Sequence, residues 1–217
     1  MNLELRKRIY TGIALFATLA LMFISKIAYL YVSLIIFVMS FIEFSKISKI
    51  IFKKNPIYLN LINFFFLMYL SFFLLVFILS VNNIHLKLIL FMILLVCAAS
   101  DIGGLIVGKL IKGPKLTKIS PNKTIAGSIG SFIFSVTISY FLFKDVFLVE
   151  TSQILYIGIA ISLSVQLGDL FFSFLKRKSN KKNTGNILPG HGGLLDRIDG
   201  ILLGVPIGLV ITIIVLT

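Results

Sequence analysis

Long apolar runs separated by short polar segments make up this chain. The runs lie at 9–25, 27–45, 57–80, 84–100, 125–143, 152–175 and 200–217. Each is close to the roughly 20 residues that cross a bilayer as an α-helix. The first run follows Arg6, Lys7 and Arg8, but no small-residue cleavage site follows it, so a retained helix is expected rather than a signal peptide. The pattern predicts an all-α, polytopic membrane bundle of about seven transmembrane helices.

Composition supports a membrane protein. The mean hydropathy is +1.06 and only 13% of the residues are charged, whereas soluble domains carry about a quarter charged residues. The single cysteine, Cys97, lies in an apolar run, which excludes a disulfide framework and a thiolate metal site and predicts a packing role. No repeat or flexible linker divides the chain. One membrane-embedded domain, residues 1–217, is therefore expected.

The basic residues are distributed unequally between the two sides of the predicted bundle. With the N-terminus in the cytoplasm, 18 of the 21 lie on the inner side, and only Lys26, Lys87 and Lys144 lie outside. This agrees with the positive-inside rule and places polar loops of about 109–124 and 176–199 in the cytoplasm. Orientation and contact with anionic lipid explain the basic residues before these loops. They explain the two loops poorly, because there the lysines alternate with Gly, Pro and Asp.

Five acidic residues lie in or at the ends of apolar runs, where an ionisable group is costly and often functional. They are Glu43, Asp101, Asp169, Asp196 and Asp199. Carboxylate–lysine pairs that hold helices together are the structural alternative. Four aspartates without His-rich or Cys-rich companions favour a hard cation such as Mg²⁺. Asp196 and Asp199 share a face if the last helix starts there, and Gly168 beside Asp169 permits a close approach.

The two polar loops have features suited to phosphate. Segment 119–124, ISPNKT, predicts a turn before a helix N-terminus, although the P-loop spacing is missing. In HGGLLDRID (191–199), the glycines let the backbone approach a ligand, and Arg197 can bridge metal-bound phosphate. A lone histidine is as often structural as functional, but the glycines beside His191 argue against a core position.

Basic loops above intramembrane aspartates indicate phosphoryl chemistry at the membrane surface, between a soluble polyanion and a membrane-embedded substrate. Nucleic acid is disfavoured as a partner, because no aromatic stacking platform interleaves with the basic residues.

These segments resemble a known family. Ser173–Arg177, Lys182, Gly185, Leu188, Pro189 and residues 191–199 resemble the signature of the phosphatidate cytidylyltransferases, the CDP-diacylglycerol synthases. The loop GKLIKGPKLTKISPNKT with Asp101 and Gly127 is similar to the family's upstream block, and LRKRIYTGIAL to its N-terminus. The chain departs from the pattern at Asn183, where the family usually has Asp, and at Ala126, often Glu or Gln. It is also short for the family.

The resemblance implies Mg²⁺-dependent transfer of a cytidylyl group from CTP to phosphatidic acid, at the cytoplasmic face of a bacterial inner membrane. Asp169 and Asp196 would be the metal carboxylates, with Asp199 close by. The residues around the phosphates and the rest of the substrate site would be Lys176, Arg177, Lys182, His191, Gly192, Gly193 and Arg197, with Asp101, Ser120, Lys123 and Thr124. Membrane lipids are expected partners, and a homodimer stays open.

Other functions remain open at this point. A non-catalytic lipid-binding scaffold descended from the family would account for the two departures. A related CTP-dependent lipid kinase, or a synthase acting on another lipid phosphate, is the third possibility. A transporter is weaker, because no paired half-length segments or inverted symmetry are visible. Retention of every candidate metal carboxylate favours the enzyme.

The predicted topology can be tested by cysteine labelling. Lys115 and Lys178 should face the cytoplasm and Lys144 the opposite side, because of the distribution of basic residues. Cysteines substituted at these positions would be probed with an impermeant thiol reagent in intact cells. Only position 144 should be labelled; labelling at 178 would contradict the topology and separate the proposed site from cytoplasmic CTP.

Overall fold

The computed structural model describes the backbone of residues 3–147, 150–187 and 192–216, and seven α-helices account for most of it. They are α1 (Leu3–Ile24), α2 (Lys26–Ile51), α3 (Pro56–Ser80), α4 (Ile84–Ile111), α5 (Ile125–Phe147), α6 (Thr151–Lys178) and α7 (Leu195–Leu216). An isolated bridge joins Lys115 and Thr124, and no strand is among the elements of these three ranges. The predicted all-α bundle of about seven helices is confirmed.

Six of the helices, α2 to α7, are long and apolar enough to cross a membrane, whereas the apolar part of α1, Tyr10–Ile24, is shorter. Several helices extend past the apolar runs. α4 continues to Ile111, α6 to Lys178, and α7 already begins at Leu195. The polar loops are therefore shorter than expected, 112–124 and 179–194. Charged side chains at helix ends reach the polar interface and shorten the apolar run, but the backbone hydrogen bonds of the helix continue through them.

The chain divides into two compact units. Unit 1 comprises Met1–Ile84 and Leu175–Ile198, and in it α2 packs against α1 and α3. Two side-chain hydrogen bonds join α2 to α3: the buried hydroxyls of Tyr29 and Ser80 lie 2.6 Å apart, and in a half-buried bond Ser48 Oγ donates to Asn63 Oδ1 at 2.7 Å. Lipid supplies little hydrophobic force between helices, so such polar contacts help to fix the pairing.

Unit 2 comprises His85–Phe174 and Asp199–Thr217, and small residues set its helix spacing. A Cβ on Gly103 of α4 would lie 2.6 Å from the carbonyl oxygen of Gly130 in α5. A Cβ on Gly168 of α6 would lie 2.6 Å from the carbonyl oxygen of Asp199, so the close approach predicted beside Asp169 is confirmed. Cys97 is fully buried, as expected for a packing residue.

The glycine contact between α4 and α5 generates a stability prediction. Gly103→Ala should lower the melting temperature in detergent, because the new Cβ meets a backbone oxygen and overpacking costs about 1–3 kcal/mol. Gly12→Ala in α1 is the matched control, since nothing lies within 4 Å of the position that its Cβ would take. Equal melting temperatures for the two variants would show that the α4–α5 contact relaxes without cost.

Candidate functional site

The site residues expected from the sequence fall into both units, and each group has its own geometry. Unit 1 contains Lys176, Arg177, Lys182, Gly192, Gly193, Asp196 and Arg197, and unit 2 contains Asp101, Ser120, Lys123, Thr124, Asp169 and Asp199. His191 lies outside the described residues.

Asp196 joins three segments of unit 1. It lies in the first turn of α7, which begins at Leu195, so the condition set for Asp196 and Asp199 to share a face is met. Its Oδ1 accepts a hydrogen bond from Lys176 Nζ at 2.8 Å, and its Oδ2 accepts from the backbone N–H groups of Thr184 and Gly193 at 2.8 and 2.9 Å. The side chains of Lys176 and Asp196 are only 12% and 7% exposed. The carboxylate therefore connects the end of α6, the 179–194 loop and the start of α7.

A second carboxylate, Glu43 of α2, holds the same loop and is 1% exposed. Its Oε2 accepts from Thr184 Oγ1 at 2.7 Å and from the Leu195 N–H at 2.9 Å, and its Oε1 accepts from the Leu194 N–H at 3.0 Å. The sequence marks Glu43 as a costly ionisable group in an apolar run, but it gives no partner for it. Glu43 was therefore missing from the expected site.

Three glycines of the loop are required by these contacts. A Cβ on Gly185 would lie 2.6 Å from Glu43 Oε1, and a Cβ on Gly193 would lie 2.7 Å from the same atom. Gly192 has φ +85, a conformation that side chains with a Cβ rarely adopt. Glycine at these positions lets the loop backbone lie directly against the two carboxylates.

Asn183, one of the departures from the family pattern, lies beside Asp196. A Cβ on Gly192 would be 2.8 Å from Asp196 Oδ2 and 3.1 Å from Asn183 Cγ. Asn183 is exposed. An aspartate at this position would add a second carboxylate next to Asp196, whereas asparagine keeps one carbonyl acceptor without the charge.

Three of the expected site cations in unit 1 are solvent-accessible. Arg177, Lys182 and Arg197 are all exposed. α6 ends after Lys178 with Asn180 at φ 54, and the Lys181 N–H donates to the Lys176 carbonyl at 2.9 Å. This bond pattern closes the helix and turns the chain into the loop. Exposed cations at the end of α6, in the loop and in α7 give this part of the surface a positive potential.

In unit 2 the 112–124 loop forms a small hairpin. The Leu116 N–H donates to the Lys123 carbonyl at 2.8 Å, and the Ile125 N–H donates to Pro114 at 3.0 Å. The predicted turn before α5 is confirmed by a bond from the Lys123 N–H to the Ser120 carbonyl at 3.0 Å. Thr124 Oγ1 accepts from the Gly127 N–H at 3.0 Å, which caps the helix start.

Lys123 pairs with Asp169 of α6, and their side chains are 26% and 29% exposed. Asp199 is 8% exposed, and its Oδ1 accepts from the Gly200 N–H at 3.0 Å. Asp101 lies in α4 and is exposed. A carboxylate–lysine ion pair was the structural alternative to a metal site for the aspartates. Both expected metal carboxylates, Asp169 and Asp196, have a lysine partner here.

As ligands for a hard cation, the carboxylate oxygens of Asp169 and Asp196 are suitable only in part. Across the three described ranges, no group of three or more His, Cys, Asp or Glu forms a metal site. Mg²⁺ often takes only one or two carboxylates and completes its shell with water and phosphate. Asp169, partly exposed and paired with one lysine, fits this role. Asp196 already accepts three donors on two oxygens, so Lys176 would have to move before a cation could bind Oδ1.

Comparison with known proteins settles the family. A family model described as "Cytidylyltransferase family" matches residues 4–215. The chain belongs to the cytidylyltransferase family. The resemblance inferred from residues 173–199 is thereby confirmed, and the carboxylate and lysine contacts above lie within the matched region.

Named relatives of this cytidylyltransferase family chain are bacterial proteins. It is 42% identical over 115 residues to "Phosphatidate cytidylyltransferase" of Rickettsia bellii, covering 49% of this chain and 50% of the relative. It is 38% identical over 112 residues to the Helicobacter pylori (strain ATCC 700392 / 26695) protein of that name, covering 52% and 42%. The Bacillus subtilis protein is 42% identical over 111 residues, covering 50% and 41%. The chain thus spans about half the length of the curated relatives it matches.

The contacts of Asp196 in this cytidylyltransferase family member predict that it holds the loop, and this effect can be measured without an activity assay. Asp196→Ala should accelerate hydrogen–deuterium exchange at the Thr184 and Gly193 amides by about tenfold or more, because both lose their acceptor. Asp169→Ala is the control, because Asp169 is paired with Lys123, whereas both amides donate to Asp196. Unchanged exchange in Asp196→Ala would show that the carboxylate does not hold the loop in solution.

Proposed function

We propose that this chain transfers the cytidylyl group of CTP to phosphatidic acid, giving CDP-diacylglycerol and pyrophosphate, at the cytoplasmic face of a bacterial inner membrane. One observation carries the proposal: the signature segment 173–199, matched by the family, holds the Lys176–Asp196 pair and exposed cations at the end of one membrane helix and the start of another. Charge is costly near the apolar layer, so its concentration at this position calls for a charged substrate.

The proposed reaction asks the protein mainly for positioning and charge compensation. A phosphatidate oxygen attacks the α-phosphorus of CTP, the bond from that phosphorus to the β-phosphate bridging oxygen breaks, and pyrophosphate leaves with the electron pair. Charge develops on the phosphoryl and leaving oxygens, and fixed cations stabilise it. Arg177, Lys182 and Arg197 are the exposed cations proposed to do so, and Lys176 can turn from Asp196 to phosphate.

Asp169 and Asp196 are the residues proposed to hold a divalent cation, which we take to be Mg²⁺, with Asp199 close to Asp196 on α7. A bound Mg²⁺ would neutralise and orient the phosphates. Lys123 pairs with Asp169, and Lys176 pairs with Asp196. The remaining proposed substrate residues are Asp101, Ser120, Lys123, Thr124, Gly192 and Gly193. Homodimer formation stays a prediction.

CTP carrying a label on different phosphates distinguishes the proposal from its alternatives. With phosphatidic acid and Mg²⁺, the purified protein should move an α-phosphate label into lipid and leave a γ-phosphate label in pyrophosphate. A CTP-dependent lipid kinase would move the γ label instead. A scaffold would move neither, which would overturn the proposal.

Asp169→Asn tests the metal role with the least disturbance. It keeps the side-chain shape but removes the charge, so turnover should fall by about 100-fold, roughly 2.7 kcal/mol in barrier. Asp145→Asn, the same change at an exposed position of α5, should leave turnover within about twofold. If Asp169→Asn keeps the turnover and the Mg²⁺ dependence of the wild type, Asp169 is only the structural partner of Lys123.

A further inference from the structure

Glu43 is the most deeply buried acidic residue among those described, and no proposed chemical role uses it. It lies within α2, a helix long and apolar enough to span the membrane, and is 1% exposed. A buried carboxylate is costly unless hydrogen-bond donors surround it. Its three donors all come from residues 184–195, 141 to 152 positions away in the chain. This arrangement indicates that Glu43 holds that distant segment in place.

The carboxylate satisfies the start of α7. The first N–H groups of a helix have no partner within the helix and carry the positive end of its dipole. Glu43 accepts the N–H groups of Leu194 and Leu195, which are two such groups. It also fixes the Thr184 side chain, which is 2% exposed. One side chain therefore holds both the middle of the loop and the point where α7 begins.

Glu43 and Asp196 hold the same loop through shared residues. Thr184 donates its hydroxyl to Glu43 and its backbone N–H to Asp196. Gly193 donates its N–H to Asp196, while its Cα faces Glu43 so closely that a Cβ would lie 2.7 Å from Oε1. A shift of Glu43 would therefore move the two backbone donors that orient Asp196.

We propose that Glu43 is a positioning residue: it sets the geometry of the segment formed by residues 184–187 and 192–195 and, through Thr184 and Gly193, of Asp196 and Lys176. Its effect on turnover rests on the proposed function, whereas its hold on the segment does not. Glu43 contacts no substrate in this scheme. It acts on Asp196 and its partner Lys176 only through the loop residues that it holds.

Glu43→Gln tests the hold directly. The amide keeps the size of the side chain but has one acceptor oxygen, so its NH₂ must face at least one of the N–H donors. Amide exchange at Thr184, Leu194 and Leu195 should accelerate by about tenfold or more. Ser48→Ala is the matched control in the same helix: it removes side-chain bonds to Asn63 of α3 and to the Ser45 carbonyl, and it keeps the Glu43 bonds to the loop. Wild-type exchange in Glu43→Gln would overturn the proposal.

Steady-state kinetics test the consequence for the site. In Glu43→Gln the KM for CTP should rise by about fivefold or more, with the KM for phosphatidic acid within about twofold. A smaller fraction of folded protein lowers kcat but cannot raise one KM selectively. Ser48→Ala should keep both KM values. An unchanged KM for CTP in Glu43→Gln, despite faster exchange, would overturn the positioning role.

Thr184 supplies a second pair of variants in case Glu43→Gln does not fold. Thr184→Val removes the hydroxyl donated to Glu43 and should raise the KM for CTP, whereas Thr184→Ser keeps the hydroxyl and should restore it. Equal KM values in the two variants would contradict the proposal. If the wild-type protein forms no CDP-lipid, the proposed function fails, and the exchange result alone decides whether Glu43 holds the segment.

Discussion

Buried carboxylates that must find their hydrogen-bond donors inside an apolar protein govern the arrangement of this chain. Neither lipid nor a helix core can solvate an anion, so each buried acid is stable only with donors nearby. Glu43 takes them from the start of α7 and from Thr184, and Asp196 takes them from Lys176 and two backbone N–H groups. Thr184, Gly193 and Leu194 of the 179–194 loop lie where they supply these donors.

The same requirement explains part of the family signature in structural terms. Gly185 and Gly193 lie so close to Glu43 that a Cβ would collide with its carboxylate, and Gly192 adopts positive φ between Asn183 and Asp196. Glycines of this kind are easily assigned to ligand binding alone. Here they are needed for the loop backbone to reach the carboxylates, so a substitution that abolishes activity at these positions would not by itself identify a substrate contact.

The sequence predicts features set by local patterns and misses those set by distant contacts. The apolar runs predict seven helices, and the ISPNKT segment predicts a turn and a helix start, because hydrophobicity and turn chemistry act over a few residues. Helix ends are less accurate: Lys176 and Leu195 lie in helices although the apolar runs end elsewhere. The partners of Glu43 lie 141 to 152 residues away, and no local pattern connects them to α2.

The two carboxylate oxygens of Asp196 are held by different kinds of donor. This difference allows Asp196 to hold the loop and still have one oxygen that can be released for the proposed reaction. Oδ2 is fixed by backbone N–H groups of Thr184 and Gly193, which move only with the loop. Oδ1 is bound by the Lys176 ammonium, a point charge on a flexible stem that rotates easily. Under the proposed function an incoming polyanion competes for Lys176 and exposes Oδ1, while Oδ2 keeps the carboxylate in place. The orientation of Asp196 is thus independent of the one partner that the substrate would remove.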